Sequence, residues 1–144
     1  MKTKLDTLLA SAERRILQIP ETDFLHKRSD IKWSKKEILG HLIDSAINNL
    51  QRFTKIQFSK KPFLIIPYDQ NELVKSNDYQ HAETDKILNL WLSLNYQISH
   101  IIKNQTEETL SFKILLKDER ESDLRFLITN YVDHLEYHLN QILN

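Results

Sequence analysis

The sequence predicts an all-α protein, a four-helix bundle with long connectors. Three observations predict this class. A single glycine and three prolines in 144 residues are too few for the tight turns of a β-sandwich. Apolar residues recur at three-and-four spacing in four separate blocks. The length is that of one domain able to bury a core by itself, so we expect one domain over residues 1–144.

The first two helices have clear boundary signals. The first has an apolar stripe at Leu5, Leu8, Leu9, Ala12, Ile16 and Ile19. Pro20 marks its stop just beyond. The second, of about 23 residues, begins with Ser34 as N-cap and Glu37 three residues later, a capping box in which each side chain satisfies a backbone amide of the other residue.

The third and fourth helices are predicted from apolar periodicity. The third should run from about Thr84 to Lys103, with Trp91, Leu92 and Ile98 on one side. The fourth should run from about Asp123 to Leu143, with Ser122 as its cap.

Two long connectors join the last three helices. The first includes "FLII", residues 63–66, and exceeds an ordinary loop, so we expect it to be partly structured or functional. The second covers residues 104–121. The two connectors could pair with each other as two strands. No pattern in the sequence requires this pairing, so we do not predict a sheet. Extended connectors of this length can run back along a bundle, so loop length does not settle the helix order.

Composition excludes several classes of function. Twenty basic and twenty acidic residues cancel, so no positive field favours nucleic acid or an anionic membrane. No segment approaches the roughly 18 apolar residues of a membrane span, and we expect a soluble, cytoplasmic protein. The absence of cysteine excludes disulfides, thiolate zinc sites and a cysteine nucleophile. Any metal must therefore be held by histidine and oxygen.

The second helix carries an unexpected polar row. Six polar side chains fall within about 100° of one another on a helical wheel. They are Glu37, His41, Asp44, Ser45, Asn48 and Arg52. Taken alone, such a row is also typical of a solvated face.

The fourth helix supplies a possible counterpart. His134 and His138 are one turn apart, so they project from the same face at the shoulder of its apolar stripe. Such pairs also arise by chance on surface helices, and the pair alone is weak support for a metal site. His41, if it lies opposite, would complete three imidazoles with an open fourth position, an arrangement that suits a catalytic divalent ion.

Four segments carry a family resemblance: "KWSKKEILGHLIDSAINNLQRF", "PYDQNELV", "LWLSLNYQISHII" and "LRFLITNYVDHLEYHLNQIL". Over residues 30–144 the chain resembles the DinB-like superfamily of metal-binding four-helix bundles, in its YfiT-like branch of metal-dependent hydrolases. The combination of the tryptophan, serine and Gly-His of the second helix with the HxxxH of the fourth is the most specific part.

The resemblance implies one divalent ion, nickel or zinc, held by His41, His134 and His138. It also implies a homodimer and a small-molecule substrate. Members of the family include thiol transferases and thiol-dependent isomerases, so we expect a metal-dependent transferase that uses a low-molecular-weight thiol, or a hydrolase. A non-catalytic module that binds a metal or a small ligand is the alternative. Two positions depart from the family pattern: Asn130 stands where an acidic residue is common, and Leu73 where a tryptophan is common.

Other polar residues have two interpretations each. Asp44 could orient a ligand or act as a base, or form a salt bridge to a neighbouring helix. Asn48 and Arg52 could meet an anionic substrate group, or be solvated or interhelical. Asn95 could face the pocket.

The remaining residues of note are interpreted as structural. His100 is expected to be structural, and His26 and His81 to face solvent. Trp33 and Trp91 are expected to pack, and Gly40 to permit a close helix contact that offsets a cost of about 1 kcal/mol relative to alanine.

Overall fold

The structure of the protein is a computed structural model that describes residues 2–144. The four predicted helices form a bundle in it. Numbered along the chain, the long helices are α1 (Lys4–Ile16), α3 (Lys35–Lys55), α5 (Thr84–Lys103) and α7 (Leu124–Leu143). Three short helices lie in the connectors: α2 (Glu21–Leu25), α4 (Gln70–Asn77) and α6 (Glu107–Leu110). A 3-10 turn, Tyr79–His81, follows α4.

The order of the helices places the predicted second and fourth helices side by side. Helix α3 packs against both α5 and α7, and α1 packs against the same two helices. Helices α1 and α3 therefore occupy opposite corners of the bundle. The adjacency of α3 and α7, which the interpretation of His41 required, is confirmed.

The buried apolar side chains form one cluster at the centre of the four long helices. Leu9, Leu39, Trp91 and Leu135 are each at most 1 % exposed. Removing such a side chain from water contributes about 1.5 to 3 kcal/mol. Within residues 2–144, no helix combines the length and apolar character needed to cross a membrane.

Capping boxes begin α1 and α3. The Ser34 hydroxyl accepts from the Glu37 amide at 3.0 Å, and the Ser34 amide donates to the Glu37 carboxylate at 3.1 Å, as predicted. Thr3 and Asp6 form the same arrangement at the start of α1. The first helix ends at Ile16 rather than Ile19, because the backbone of Leu17 to Ile19 closes into turns before Pro20.

The two connectors meet in a small sheet that the sequence analysis did not predict. Strand β1 (Phe63–Leu64) pairs in parallel with β2 (Lys113–Leu115), and β2 pairs in antiparallel with β3 (Glu121–Asp123). The segment "FLII" therefore has a partner, which lies about fifty residues further along the chain. No local pattern could identify it.

The cap of the last helix is also corrected by this sheet. Ser122 lies in β3, opposite Ile114, and so does not cap α7. The N-cap is Asp123, whose carboxylate accepts from the Phe126 amide at 2.9 Å.

Gly40 permits a close approach, but not between helices. A Cβ atom at this position of α3 would overlap the ring of Tyr79 in the 3-10 turn. The missing side chain therefore brings the connector after α4 against α3, one residue before His41.

Candidate metal centre

Three histidine rings meet between α3 and α7. His41 lies in the second turn of α3, and His134 and His138 lie one turn apart on α7. The ring of His41 is centred 5.0 Å from that of His134 and 4.7 Å from that of His138. The two α7 rings are centred 4.5 Å apart. One ring nitrogen from each residue lies within 4.8 Å of the other two.

The separation of two of these nitrogens matches that of two ligands on one metal ion. Two imidazole nitrogens bonded to a tetrahedral zinc ion at 2.0 to 2.1 Å are about 3.3 Å apart. The Nε2 atoms of His41 and His134 are 3.2 Å apart. A set of three imidazoles suits zinc, nickel and copper. The triad is therefore able to hold a divalent ion by its donor atoms, and one pair of them already has the separation of bound ligands.

Burial keeps two of the rings neutral. His41 is 1 % exposed, and burial together with the neighbouring His138 and His134 lowers its pKa to about 4. Burial, then His138, lowers the pKa of His134 to about 4. At neutral pH both rings keep a free nitrogen lone pair, which metal binding requires.

Neighbouring side chains orient the rings. The Nδ1–H of His138 donates to Oε1 of Gln141 at 2.7 Å, which leaves the Nε2 lone pair for a ligand role. The Trp33 ring lies over that of His41, with centroids 4.9 Å apart. Among residues 2–144, nothing hydrogen-bonds the buried Nδ1 of His41. Packing and the triad therefore hold this ring.

Asp44 lies in a separate buried cluster. Its Oδ1 accepts from the Tyr79 hydroxyl at 2.6 Å and from the Asn77 amide at 2.9 Å. Burial raises the pKa of Asp44 above that of a free aspartate. The residue is 2 % exposed and forms no salt bridge within residues 2–144. The structure thus places it against the 3-10 turn rather than at an open cavity.

The structure places Asn48 and Arg52 away from the triad. The Asn48 amide donates to the Asp44 carbonyl at 2.9 Å, within α3. The Arg52 guanidinium donates to the Ile66 carbonyl at 2.6 Å and stands over the Tyr68 ring. The Arg52 contacts hold the first connector against α3. Both residues lie beyond His41, toward the C-terminal end of the helix.

Asn95 supports the core instead of facing a pocket. It is fully buried and its Oδ1 accepts from the Tyr131 hydroxyl at 2.5 Å. Its amide donates to the Trp91 carbonyl at 2.9 Å. The pair joins α5 to α7 across the bundle.

A cavity of about 690 Å³ opens beside the triad. His138, Trp33, Ile38 and Gln141 line it, together with charged residues of α2, of the segment that follows it and of the start of α3. Trp33 packs against the core, as expected, and also lines the cavity, whereas Gln141 was not among the predicted site residues. The spacing of His138 and Gln141, one turn apart on one face, could have indicated Gln141.

The other histidines do not join the triad. His100 is exposed and accepts from Asn104 at 3.3 Å. His81 is exposed and pairs with Asp78. His26 is exposed, as expected, and lies on the rim of the cavity.

The departures from the family pattern lie outside the cavity lining. Asn130 is exposed on α7, and Leu73 is half-buried on α4. Neither substitution alters the three ring nitrogens.

Solved structures share this fold. YfiT from Bacillus subtilis, described as a probable metal-dependent hydrolase with an unusual four-helix bundle topology, is similar with a TM-score of 0.83 and 21 % identity, over 96 % of this chain and 79 % of that chain. A mycothiol-dependent maleylpyruvate isomerase is similar with a TM-score of 0.67 and 15 % identity, over 97 % of this chain and 61 % of that chain. A mutant of it gives 0.70 and 14 %, with the same coverage. This chain thus spans about three fifths of the isomerase.

Sequence comparison gives the family. No curated protein matches the chain. The sequence model of the DinB superfamily matches residues 4–142, nearly the whole length. The chain therefore belongs to the DinB superfamily.

Proposed function

We propose that His41, His134 and His138 hold one divalent ion and that the protein is a metal-dependent enzyme acting on a small molecule. The reaction we favour is transfer of a low-molecular-weight thiol to an electrophile. The observation that carries the proposal is the meeting of three imidazoles from two helices beside a cavity that His138 lines. The metal-dependent and thiol-dependent descriptions of the structural relatives support it.

The residues of the chain prepare the site for this chemistry. A bound divalent ion would supply Lewis acidity, which lowers the pKa of a thiol or water. His41 and His134, neutral through burial, offer their lone pairs without first losing a proton. Gln141 fixes the His138 tautomer. Trp33 shields His41 and shapes the cavity wall.

Thiol transfer fits the placement of the carboxylates better than hydrolysis does. Hydrolysis usually needs a positioned base beside the activated water, and Asp44, the expected base, is held by Tyr79 and Asn77 away from the cavity. Hydrolysis stays the second candidate because the Asp23 side chain lines the cavity. If the reaction is hydrolysis, Asp23→Asn should abolish turnover. If the reaction is thiol transfer, Asp23→Asn should leave turnover in place.

We further propose nickel or zinc as the ion and the cytoplasm as the location. Three imidazoles suit both metals. Low-molecular-weight thiols are kept reduced in the cytoplasm. A chain without cysteine cannot form a mixed disulfide with such a thiol. The zero net charge fits a small-molecule substrate better than a nucleic acid.

A homodimer is the proposed assembly. Three apolar side chains between α3 and α4 are more than half exposed: Phe58, Leu64 and Ile66, at 76, 54 and 70 %. A second copy would cover such exposed apolar side chains. Light scattering at micromolar concentration should give twice the 17.2 kDa monomer mass. A monomer mass would contradict the dimer.

The activity test uses metal-loaded protein, a panel of low-molecular-weight thiols and a generic electrophile. The conjugation rate of wild type should exceed that of His138→Ala by about a hundredfold or more. The rate of His100→Ala, the matched control, should equal that of wild type. Hydrolysis of activated esters and amides is measured in parallel. Rates equal to those of His138→Ala in both assays would contradict an enzyme and favour the non-catalytic binding module.

A further inference from the structure

The cavity beside His138 is lined by basic side chains. Arg28, Lys32 and Lys35 contribute to its wall, with Asp23 as the acidic side chain of the same lining. Counting side chains that are charged at neutral pH, three positive charges face one negative charge. The protein as a whole has equal numbers of basic and acidic residues. The positive charge at the cavity is therefore local.

These three cations lack the ion pairs that their neighbours form. In the same region Lys27 pairs with Glu37 at 2.7 Å, and Lys36 pairs with Glu21 at 3.0 Å. Among residues 2–144, no salt bridge is formed by the three cavity cations. Glu37 and Glu21 are thus paired with lysines other than those of the cavity, whereas Asp23 forms no salt bridge among the described residues.

The cations and the metal centre share one opening. His138 lines the cavity with its ring against those of the other two histidines. A molecule seated among the basic side chains would therefore lie beside the triad. Charges facing a cavity with apolar walls, here Trp33 and Ile38, attract counter-ions more strongly than charges on an open surface.

We propose that this cavity is the substrate site and that it selects small organic anions, with carboxylate groups held by Arg28, Lys32 and Lys35. This inference rests on the proposed function for the role of the triad. The arginine can bind a carboxylate through two parallel hydrogen bonds, and the lysines act as point charges. We therefore assign to these three side chains the anion-binding role that the sequence suggested for Asn48 and Arg52.

The test measures binding of glutarate, a dicarboxylate, and of glutaramide, its neutral diamide. Both are titrated by calorimetry into the full chain, once metal-free and once zinc-loaded. Glutarate should bind about tenfold more tightly than glutaramide. The variant Arg28→Gln/Lys32→Gln/Lys35→Gln should weaken glutarate binding about tenfold in both forms. Its zinc content should equal that of wild type.

The matched control removes the same charge near the opposite end of α3, in Lys55→Gln/Lys60→Gln/Lys117→Gln. It should change glutarate binding less than about twofold, because screened distant charges contribute little. If the cavity variant does not fold, each single substitution carries the test, with about threefold weakening expected.

Three outcomes would overturn the anion site: no glutarate binding by wild type, equal binding by the cavity variant, or equal loss in both triple variants. Failure of the metal proposal would give other results: wild type would not bind zinc, or His138→Ala would retain it. The titration of the metal-free protein would still show whether the cavity binds anions.

Discussion

The Nε2 atoms of His41 and His134 lie 3.2 Å apart, although 93 residues separate them in the chain. Burial lowers the pKa of both rings to about 4, so each is neutral at pH 7 and carries one N–H and one nitrogen lone pair. At this distance the Nε2–H of one ring can donate to the Nε2 of the other, or, with the protons on Nδ1, both Nε2 lone pairs can bind one divalent ion. The metal content of the protein distinguishes the two arrangements.

The first prediction concerns metal content. Wild type should contain about one divalent ion per chain, and His41→Ala, His134→Ala and His138→Ala should each lose it, because two imidazoles do not hold the ion against buffer. Elemental analysis after dialysis measures this. His100→Ala, which removes an exposed histidine outside the triad, should retain the ion. Equal content in all four variants would show that the ligands lie elsewhere.

The second prediction concerns the pH dependence of stability in the metal-free protein. The pKa of His134 is lowered to about 4, whereas an unfolded histidine titrates near 6.5. The unfolded state therefore binds more protons between these values, so stability is complete above about pH 6.5 and falls as the pH is lowered toward about 4.

In His134→Gln the loss of stability over this interval should be smaller by about 1 to 2 kcal/mol. Urea unfolding at several pH values measures it. His100→Gln serves as the control and should follow wild type. An unchanged slope in His134→Gln would contradict the lowered pKa.

The third prediction concerns Asp6, which ties α1 to α5. Its carboxylate accepts from Lys103 at 2.7 Å, from the Ser99 hydroxyl at 2.6 Å and from the Thr3 amide at 3.0 Å. These partners, Lys103 foremost, hold its pKa well below its usual range. Asp6→Asn should lower the free energy of unfolding at pH 7 by about 2 kcal/mol.

The pH dependence of this effect has a definite sign. A lowered carboxyl pKa stabilises the fold above the unfolded value of about 3.9, and the contribution is lost as the pH falls further. The difference between wild type and Asp6→Asn should therefore shrink below about pH 4. Asp30→Asn, at an exposed aspartate, should cost less than about 0.5 kcal/mol. An equal cost for both variants would refute the role of Asp6.

The fourth prediction concerns the contact between α3 and the 3-10 turn. A methyl group at position 40 would overlap the Tyr79 ring, which donates to Asp44. Gly40→Ala should destabilise the protein by about 1 to 3 kcal/mol, although alanine favours a helix by about 1 kcal/mol. Thermal or urea unfolding measures the change. Gln51→Ala, at an exposed position of the same helix, should leave the stability nearly unchanged. Unchanged stability in Gly40→Ala would contradict the close contact between Gly40 and Tyr79.

Local signals in the sequence determined the helices and nominated the ligands. The boundaries of α5 and the Ser34–Glu37 box of α3 match the structure, because capping and apolar periodicity act over a few residues. His134 and His138 share a face for the same reason, since one helical turn separates them. The polar row of α3 nominated His41 as their partner, and the DinB resemblance, confirmed over residues 4–142, implied the same three ligands.

Only the tertiary structure decided what depends on contacts between distant segments. It set the order of the helices and paired β1 with β2, which local preferences could not reveal, and it moved the cap of α7 from Ser122 to Asp123. It also placed Asp44, Arg52 and Asn95 in structural contacts. The basic segment between α2 and α3 has no apolar periodicity, and its place across the cavity from His138 and Gln141 of α7 depends on contacts that no short stretch of sequence encodes.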